Sequence, residues 1–430
     1  MSIRPATVCI GKLLVKTVIF AICFFPVFQW QSARAACGSF SGLIRHGSYA
    51  VADAGGRIIS SCNADTPLVP ASILKIPTAL AALHILGQAF RFRTDFFIDQ
   101  RHNLYIKGYG DPMLTSEEVA LVLHHLRDLG VDRINGIFID DSNYKLSGQI
   151  PGRGESDNPY DAAIGAVAVN FNTVKIRVDG KGMVVSDEPQ TPTLPLMKQL
   201  GQGLGPGVYR LNICWKNCRP EKKTARYAAE LFRGLQRRTG IPGDGPLGLR
   251  RAPTDSRLVY THRNSKKLAE VLSSLLKYSN NLIADQVFLA CGTAQNGFPA
   301  TWDKARAATG AALRRILGPA AAAEIGMVEG SGLSRRDRMT ARAMIRVLRA
   351  FAPYRGLLPE KKGVRLKSGT LEGVYNYAGY LPDGRLFVIM LNQPQNTRDL
   401  VLNRMKSSPA RAGSGPYPSG PRTSRIFSGR

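Results

Sequence analysis

Acidic side chains are scarce in this sequence. Its 430 residues include 31 Asp and Glu against 58 Lys and Arg, a formal net charge of +27. An excess of that size excludes an acidic, solvating chain and favours anionic partners: nucleic acid, membrane surface or acidic polymer. Histidine is scarce too, with six in all, and neither His262 nor the pair His124 and His125 has a further ligand at metal spacing. No second Cys or His pair lies near Cys214 and Cys218, so that pair does not read as a zinc site. A Gly-x-Ser-x-Gly elbow is missing, which leaves an α/β-hydrolase unsupported. The run Gly243 to Gly248 fits a dinucleotide fingerprint by letters only, because no apolar strand precedes it and Pro246 interrupts the helix start. No cofactor or metal is called for. The apolar run Thr17 to Phe28 is 12 residues long, where a spanning helix needs roughly 20.

That short run belongs to a leader. Arg4, Lys12 and Lys16 precede it, and Ala33-Arg34-Ala35 supplies the small residues an exporting peptidase reads. Residues 1–35 therefore read as a signal peptide, cleaved after Ala35, with the mature protein in the periplasm or cell envelope. Its removal leaves 54 basic against 31 acidic residues, a net charge of +23. An exported protein of that charge meets envelope polymers and lipids rather than DNA, so peripheral contact with the anionic envelope is expected and nucleic acid is not. Outside the cytoplasm, Cys37 with Cys62 and Cys214 with Cys218 can be oxidised, leaving Cys291 as a buried free thiol.

Residues 68–88 read as a loop entering an apolar helix, with Pro70 just before Ser72. Residues 131–141 and 164–178 alternate like strands, and 145–160 is loop. A helical pattern over 265–292 breaks at Tyr278 to Asn281. Residues 375–392 form two strands turning at Pro382-Asp383-Gly384. From Lys406 onward the chain carries five basic and no acidic residues among Ser, Gly and Pro, and reads as a disordered tail.

Three short motifs carry chemistry. Ser72-Ile73-Leu74-Lys75 sets a hydroxyl and an amine three residues apart, on one face of a first helical turn. A serine is a poor nucleophile until a base takes its proton. For Lys75 to serve, its pKa must fall from about 10.4 toward 7, a cost of about 4 kcal/mol. Burial and a second nearby cation supply such a shift. Ser274 to Lys277 repeats the spacing, but in mid-helix without a preceding loop. The second motif, Ser279-Asn280-Asn281, offers a hydroxyl to relay a proton and an amide to hold a peptide group. Its competitor, Ser156-Asp157-Asn158, lies in a loop without helical neighbours. The third, Lys367-Ser368-Gly369-Thr370, offers the second cation, two hydroxyls for a carboxylate, and a glycine that lets substrate approach a strand edge.

The order Ser-x-x-Lys, Ser-x-Asn, Lys-Ser-Gly matches the set found in β-lactamases and penicillin-binding proteins. With the blocks KGYGDPMLT (107–115), GIFIDDSNY (136–144), AVNFNTV (168–174), SNNLIADQV (279–287), EGSGLSRRDR (329–338) and LKSGTLEGVYNYAGYL (366–381), the chain resembles the D-alanyl-D-alanine carboxypeptidase/endopeptidases of the penicillin-binding protein 4 type, low-molecular-mass class C. The resemblance implies an α/β (α+β) fold, a β-lactamase/transpeptidase-like serine domain assembled from residues 36–90 and 256–405. A large, mostly β insertion would fill 91–255, with the basic tail at 406–430. It implies acylation of Ser72 with Lys75 as base, a proton relay through Ser279, substrate contact at Asn281, and Lys367 near the substrate carboxylate. Ser368, Gly369 and Thr370 would bind substrate, with the Ser72 and Thr370 N–H groups as oxyanion hole. Peptidoglycan stem peptides and β-lactams would be the partners. Three departures are visible: Asn280 where Asp is common, Ser368 for the usual Thr, and Glu329 where Asp is expected. After Asn392, where the family leads one to expect a helix packing on the sheet, Asp399 to Met405 begins helix-like and then gives way to the basic tail. A β-lactamase shares the motifs, but no segment announces a deacylating Glu. A non-catalytic wall-binding protein of this fold would not need the acylation groups, all of which are present.

Overall fold

A computed structural model describes residues 37–146, 150–214 and 218–407. The expected leader, its cleavage point and the tail beyond Ser407 lie outside the described residues.

Alternating side chains build the main sheet. In the strand Leu386–Leu391, Leu386, Val388 and Met390 enter one core while Phe387, Ile389 and Leu391 enter another. A strand that is apolar on both sides must be central and covered on both faces. Its neighbours are Val374–Tyr380 and Gly47–Ala52, both antiparallel to it. Across the six-stranded sheet the order is Glu360–Lys361, Val364–Leu371, Val374–Tyr380, Leu386–Leu391, Gly47–Ala52 and Ile58–Cys62. Gly47 thus pairs with Leu391, so chain segments more than 300 residues apart close one sheet.

The helices Lys75–Ile85, Leu268–Tyr278, Asn281–Asn296, Trp302–Leu317 and Ala341–Phe351 share a core with one face. The other face is covered by the turn Gly38–Phe40 and the helix Arg398–Ser407, which buries Val401, Leu402 and Met405. That helix corrects two expectations. The helix-like stretch from Asp399 to Met405 does not give way early but forms a full helix packed on the sheet. Lys406 and Ser407 belong to its last turn rather than to a disordered tail, because Met405 is still anchored against the apolar face.

Residues 93–263 build separate sheets around their own core. A five-stranded mixed sheet runs Leu247–Leu249, Ile137–Asp140, Leu104–Gly108, Arg93–Ile98 and Arg257–Arg263. A three-stranded antiparallel sheet runs Gly207–Asn212, Thr173–Val178 and Val184–Ser186. This stretch carries helices as well as strands, at Ser116–Asp128, Pro195–Gly201 and Pro220–Thr239. The last starts with Pro220 and stops at Gly240, whose φ of +76 forms the left-handed cap. Disulfides join Cys37 to Cys62 and Cys214 to Cys218, and Cys291 is a buried free thiol.

Candidate active site

Ser72 stands on a constrained turn. The chain passes from Pro70 into a 3-10 turn, Ala71–Leu74, which runs straight into the helix Lys75–Ile85. Pro77 falls in the first helical turn, where its missing N–H has no helical acceptor to lose. Ala71 is held at φ +46, a conformation costing a non-glycine residue roughly 1–2 kcal/mol. Two contacts hold it there. Asn376 of the strand Val374–Tyr380 donates to the carbonyls of Val69 (2.9 Å) and Pro70 (2.8 Å). Gly332 packs so closely that any Cβ there would strike the Ala71 carbonyl.

Lys75 is fully buried. Its Nζ donates to Ser72 Oγ (2.9 Å), Asn281 Oδ1 (2.8 Å) and the Ser331 carbonyl (2.6 Å). As an ammonium it is completely satisfied by these three bonds; as an amine it turns a lone pair toward Ser72. Burial pushes its pKa down to about 8, while the fields of Glu329, Asp285 and Asp337 pull the other way. Beneath it, those three carboxyls form one buried cluster. Glu329 accepts from the N–H groups of Ser331 (2.6 Å), Gly332 (2.8 Å) and Ser334 (3.2 Å) and from Ser331 Oγ (2.5 Å). Burial opposes the Glu329 anion, but hydrogen bonds from Asp337, Asp285 and Ser331 keep its pKa below the ordinary value. Burial, reinforced by Glu329, raises Asp285 strongly and pushes Asp337 up to about 9. Glu329 is therefore the anion of the cluster, Asp337 is protonated near neutral pH, and the Asp285 carboxyl is shifted in the same direction.

The break between the helices Leu268–Tyr278 and Asn281–Asn296 supplies the opposite wall. Ser279 ends the first helix at φ +58, and the Asn280 side chain caps the second by accepting from Ile283 N–H at 3.0 Å. Capping suits Asn as well as Asp, so the missing charge costs the fold little. Asn281 Oδ1 faces Lys75, while its Nδ2 donates to the Tyr160 carbonyl at 3.1 Å. Lys367, also buried, donates to Ser279 Oγ (2.8 Å) and the Ser368 carbonyl (2.7 Å). Burial first, then the Lys75 charge, drives its pKa well below the usual lysine value.

The strand Val364–Leu371 forms the third side. It pairs with Val374–Tyr380 through Leu371 and Val374, across a two-residue turn. Antiparallel alternation then turns the N–H and C=O groups of residues 366, 368 and 370 away from that partner. Accordingly, Leu366 N–H donates to Pro359 and the Ser368 carbonyl accepts Lys367. The Thr370 N–H points to the same side. Ser72 N–H lies in the first turn of its helix, without an acceptor inside it. A Cβ at Gly369 would sit 2.8 Å from the Pro70 oxygen and 3.1 Å from the Ser72 nitrogen. The glycine is thus required by the close passage of the Ser72 turn, a reason different from the expected approach of substrate.

All eight predicted site residues gather in this region, and Ser72, Ser279, Asn281, Ser368 and Thr370 line one cavity of about 210 Å³ with Tyr160. The decoys do not. Ser274 lies mid-helix with Lys277 exposed, and Ser156 and Asn158 are tied into a surface turn around Asp161. A larger cavity of about 610 Å³ opens beside Tyr144, Arg153 and Thr224 but contains none of the acylation groups. Chemistry, not size, selects the smaller one. Motif reading missed Tyr160, which an inserted-region loop brings to the cleft, and the buried carboxyls Asp285 and Asp337. Asp285 falls four residues after Asn281, on the same helix face, and that spacing is the one signal that pointed to it.

Comparison with known proteins accords with this geometry. A family model described as the D-Ala-D-Ala carboxypeptidase 3 (S13) family matches residues 45–201 and 216–358. The matched stretch includes Ser72, Lys75, Ser279 and Asn281 but stops short of Lys367. D-alanyl-D-alanine carboxypeptidase DacB of Haemophilus influenzae is 27% identical, over 76% of this chain and 80% of that protein. The D-alanyl-D-alanine carboxypeptidase of Actinomadura sp. strain R39 is 25% identical, over 83% of this chain and 78% of its own length. In fold, the chain is similar to the crystal structure of penicillin binding protein 4 from Haemophilus influenzae, with a TM-score of 0.68 at 22% identity, covering 86% of this chain and 99% of that one. No helix among the described residues is long and apolar enough to cross a membrane.

Proposed function

The chain belongs to the D-Ala-D-Ala carboxypeptidase S13 family, and from that premise we propose that it cleaves peptidoglycan stem peptides through an acyl-enzyme on Ser72. The observation that carries this reading is the bond from buried Lys75 to Ser72 Oγ, with Lys75 brought down to about 8. The neutral amine takes the Ser72 proton as Oγ attacks the carbonyl of the penultimate D-Ala. The resulting oxyanion is held by the N–H groups of Ser72 and Thr370. The C–N bond then breaks, and the proton that Lys75 took passes through Ser279, which Lys367 orients, to the leaving amine, returning Lys75 to its neutral form. Water hydrolyses the ester, with Lys75 again as base. Substrate lies as an added strand along the free edge at residues 368–371. Ser368 and Gly369 bound that edge, and Thr370 contributes its hydroxyl to the substrate carboxylate.

The same groups accept a β-lactam, whose ring amide opens onto Ser72. Residues 36–90 and 256–405 make up the peptidase body and 91–255 the insertion that supplies Tyr160. We read residues 1–35 as an export leader, supported by two disulfides of the kind that persist outside the cytoplasm. The positive charge suits an anionic wall polymer. The test is release of D-alanine from a pentapeptide ending in D-Ala-D-Ala, run beside a cross-linked muropeptide. Release by the parent protein and none by Ser72→Ala is expected. Equal release by both would refute the serine mechanism.

A further inference from the structure

Arg398 lies outside the motifs, 28 residues beyond Thr370. It opens the helix Arg398–Ser407. Its Nη1 donates to the Gly369 carbonyl (3.0 Å) and to Thr370 Oγ1 (2.7 Å). The guanidinium is stacked over the Tyr377 ring at 4.6 Å, with Tyr375 at 6.0 Å. Its Nε is buried without a hydrogen-bond partner. The nearest acid in sequence, Asp399, is engaged by Tyr377 Oη (2.8 Å) and Lys362 Nζ (2.5 Å).

A threonine hydroxyl has one proton to donate and lone pairs to accept with. Once Arg398 fills an acceptor site on Thr370 Oγ1, the remaining O–H is committed to donate. Thr370 lines the same cavity as Ser72. A donor there, with a guanidinium behind it, makes this end of the cleft cationic. Charge-assisted bonds of this kind are about twice as strong as neutral ones. We infer that Arg398 is a positioning residue that fixes the Thr370 hydroxyl as a donor to the substrate's terminal carboxylate, making recognition depend on a free anionic end. The inference rests on the D-Ala-D-Ala reading above.

The bland alternative is that Arg398 only docks its helix onto the sheet. The two differ in which constant moves. The experiment is steady-state hydrolysis of an acyl-D-Ala-D-Ala peptide and of the same peptide with a C-terminal carboxamide, using parent, Arg398→Gln and Arg398→Lys proteins. The parent is expected to prefer the free acid by at least about tenfold in kcat/KM. Arg398→Gln should raise KM for the free acid by about tenfold, leave kcat within about twofold, and leave the carboxamide unaffected. Arg398→Lys, whose ammonium can reach the same two oxygens, should recover most of the loss. Equal losses on both peptides, or no recovery with lysine, would overturn the inference. Should Arg398→Gln fail to fold, the parent's preference still decides, since equal use of acid and carboxamide overturns it. Cleavage of neither peptide by the parent would sink the substrate reading, and this inference with it.

Discussion

The two walls of the cleft handle charge in opposite ways. On the Lys75 wall, one buried amine sits above three buried carboxyls. On the Lys367 wall, the buried amine has Arg398 nearby and carboxylates are displaced outward, Asp399 being held by Lys362. Burial lowers both lysines, but Glu329, the anion of the buried cluster, holds Lys75 back to about 8, whereas like charges push Lys367 further down. In the proposed mechanism the difference separates two tasks. A base must exchange its proton near the working pH, so it needs a counter-anion that limits the shift. A wall that receives an anion needs donors and no competing acid.

Breaking the first wall should have the largest effects. Ser72→Ala should lower peptide turnover by about 10⁴-fold or more, measured as D-alanine release. Lys75→Arg keeps the charge but cannot become neutral. It should lose about 10³-fold in acylation rate, and raising the pH to 10 should not restore it. Glu329→Gln removes the anion that raises Lys75. Acylation of the parent by penicillin should climb with pH through about 8, where Lys75 loses its proton. In Glu329→Gln that rise should move to lower pH, because the amine is easier to neutralise. The variant should also lose about 3 kcal/mol of stability from the broken buried cluster, read by denaturant unfolding. Asp337→Asn should do least. Asp337 is pushed up to about 9 by burial and by Glu329, so at pH 7 the substitution exchanges one neutral donor for another. An unchanged acylation profile is expected, and a shift toward lower pH would show that Asp337 carries charge.

The gathering of Ser72, Lys75, Ser279 and Lys367 in one place was readable because each lies in a short run with a fixed offset, and Asn281 follows Ser279 by two. The hairpin at 374–391 was readable from its alternation. The pairing of Gly47 with Leu391 was not, since nothing local encodes a contact across the whole chain. The carboxyl cluster escaped for a similar reason. Glu329 was noticed only as a substitution for Asp, while its work is to hold the Ser331–Ser334 loop whose carbonyl receives Lys75. Arg398 was hidden by the charge pattern around it. The basic residues that follow made the end of the chain look like tail, and only packing of Val401, Leu402 and Met405 gives the helix its place. Gly369 was singled out for the approach of substrate, whereas the neighbour that the structure sets against it is the Ser72 turn.

In the proposed mechanism, the Lys75 wall makes Ser72 the residue that becomes acylated. Incubation of the protein with a labelled penicillin at pH 8, followed by peptide mapping, tests it directly. One label per chain is expected, on the peptide containing Ser72, lost in Ser72→Ala and strongly slowed in Lys75→Arg. A folded protein that takes up no label, or one labelled on another residue, would contradict it.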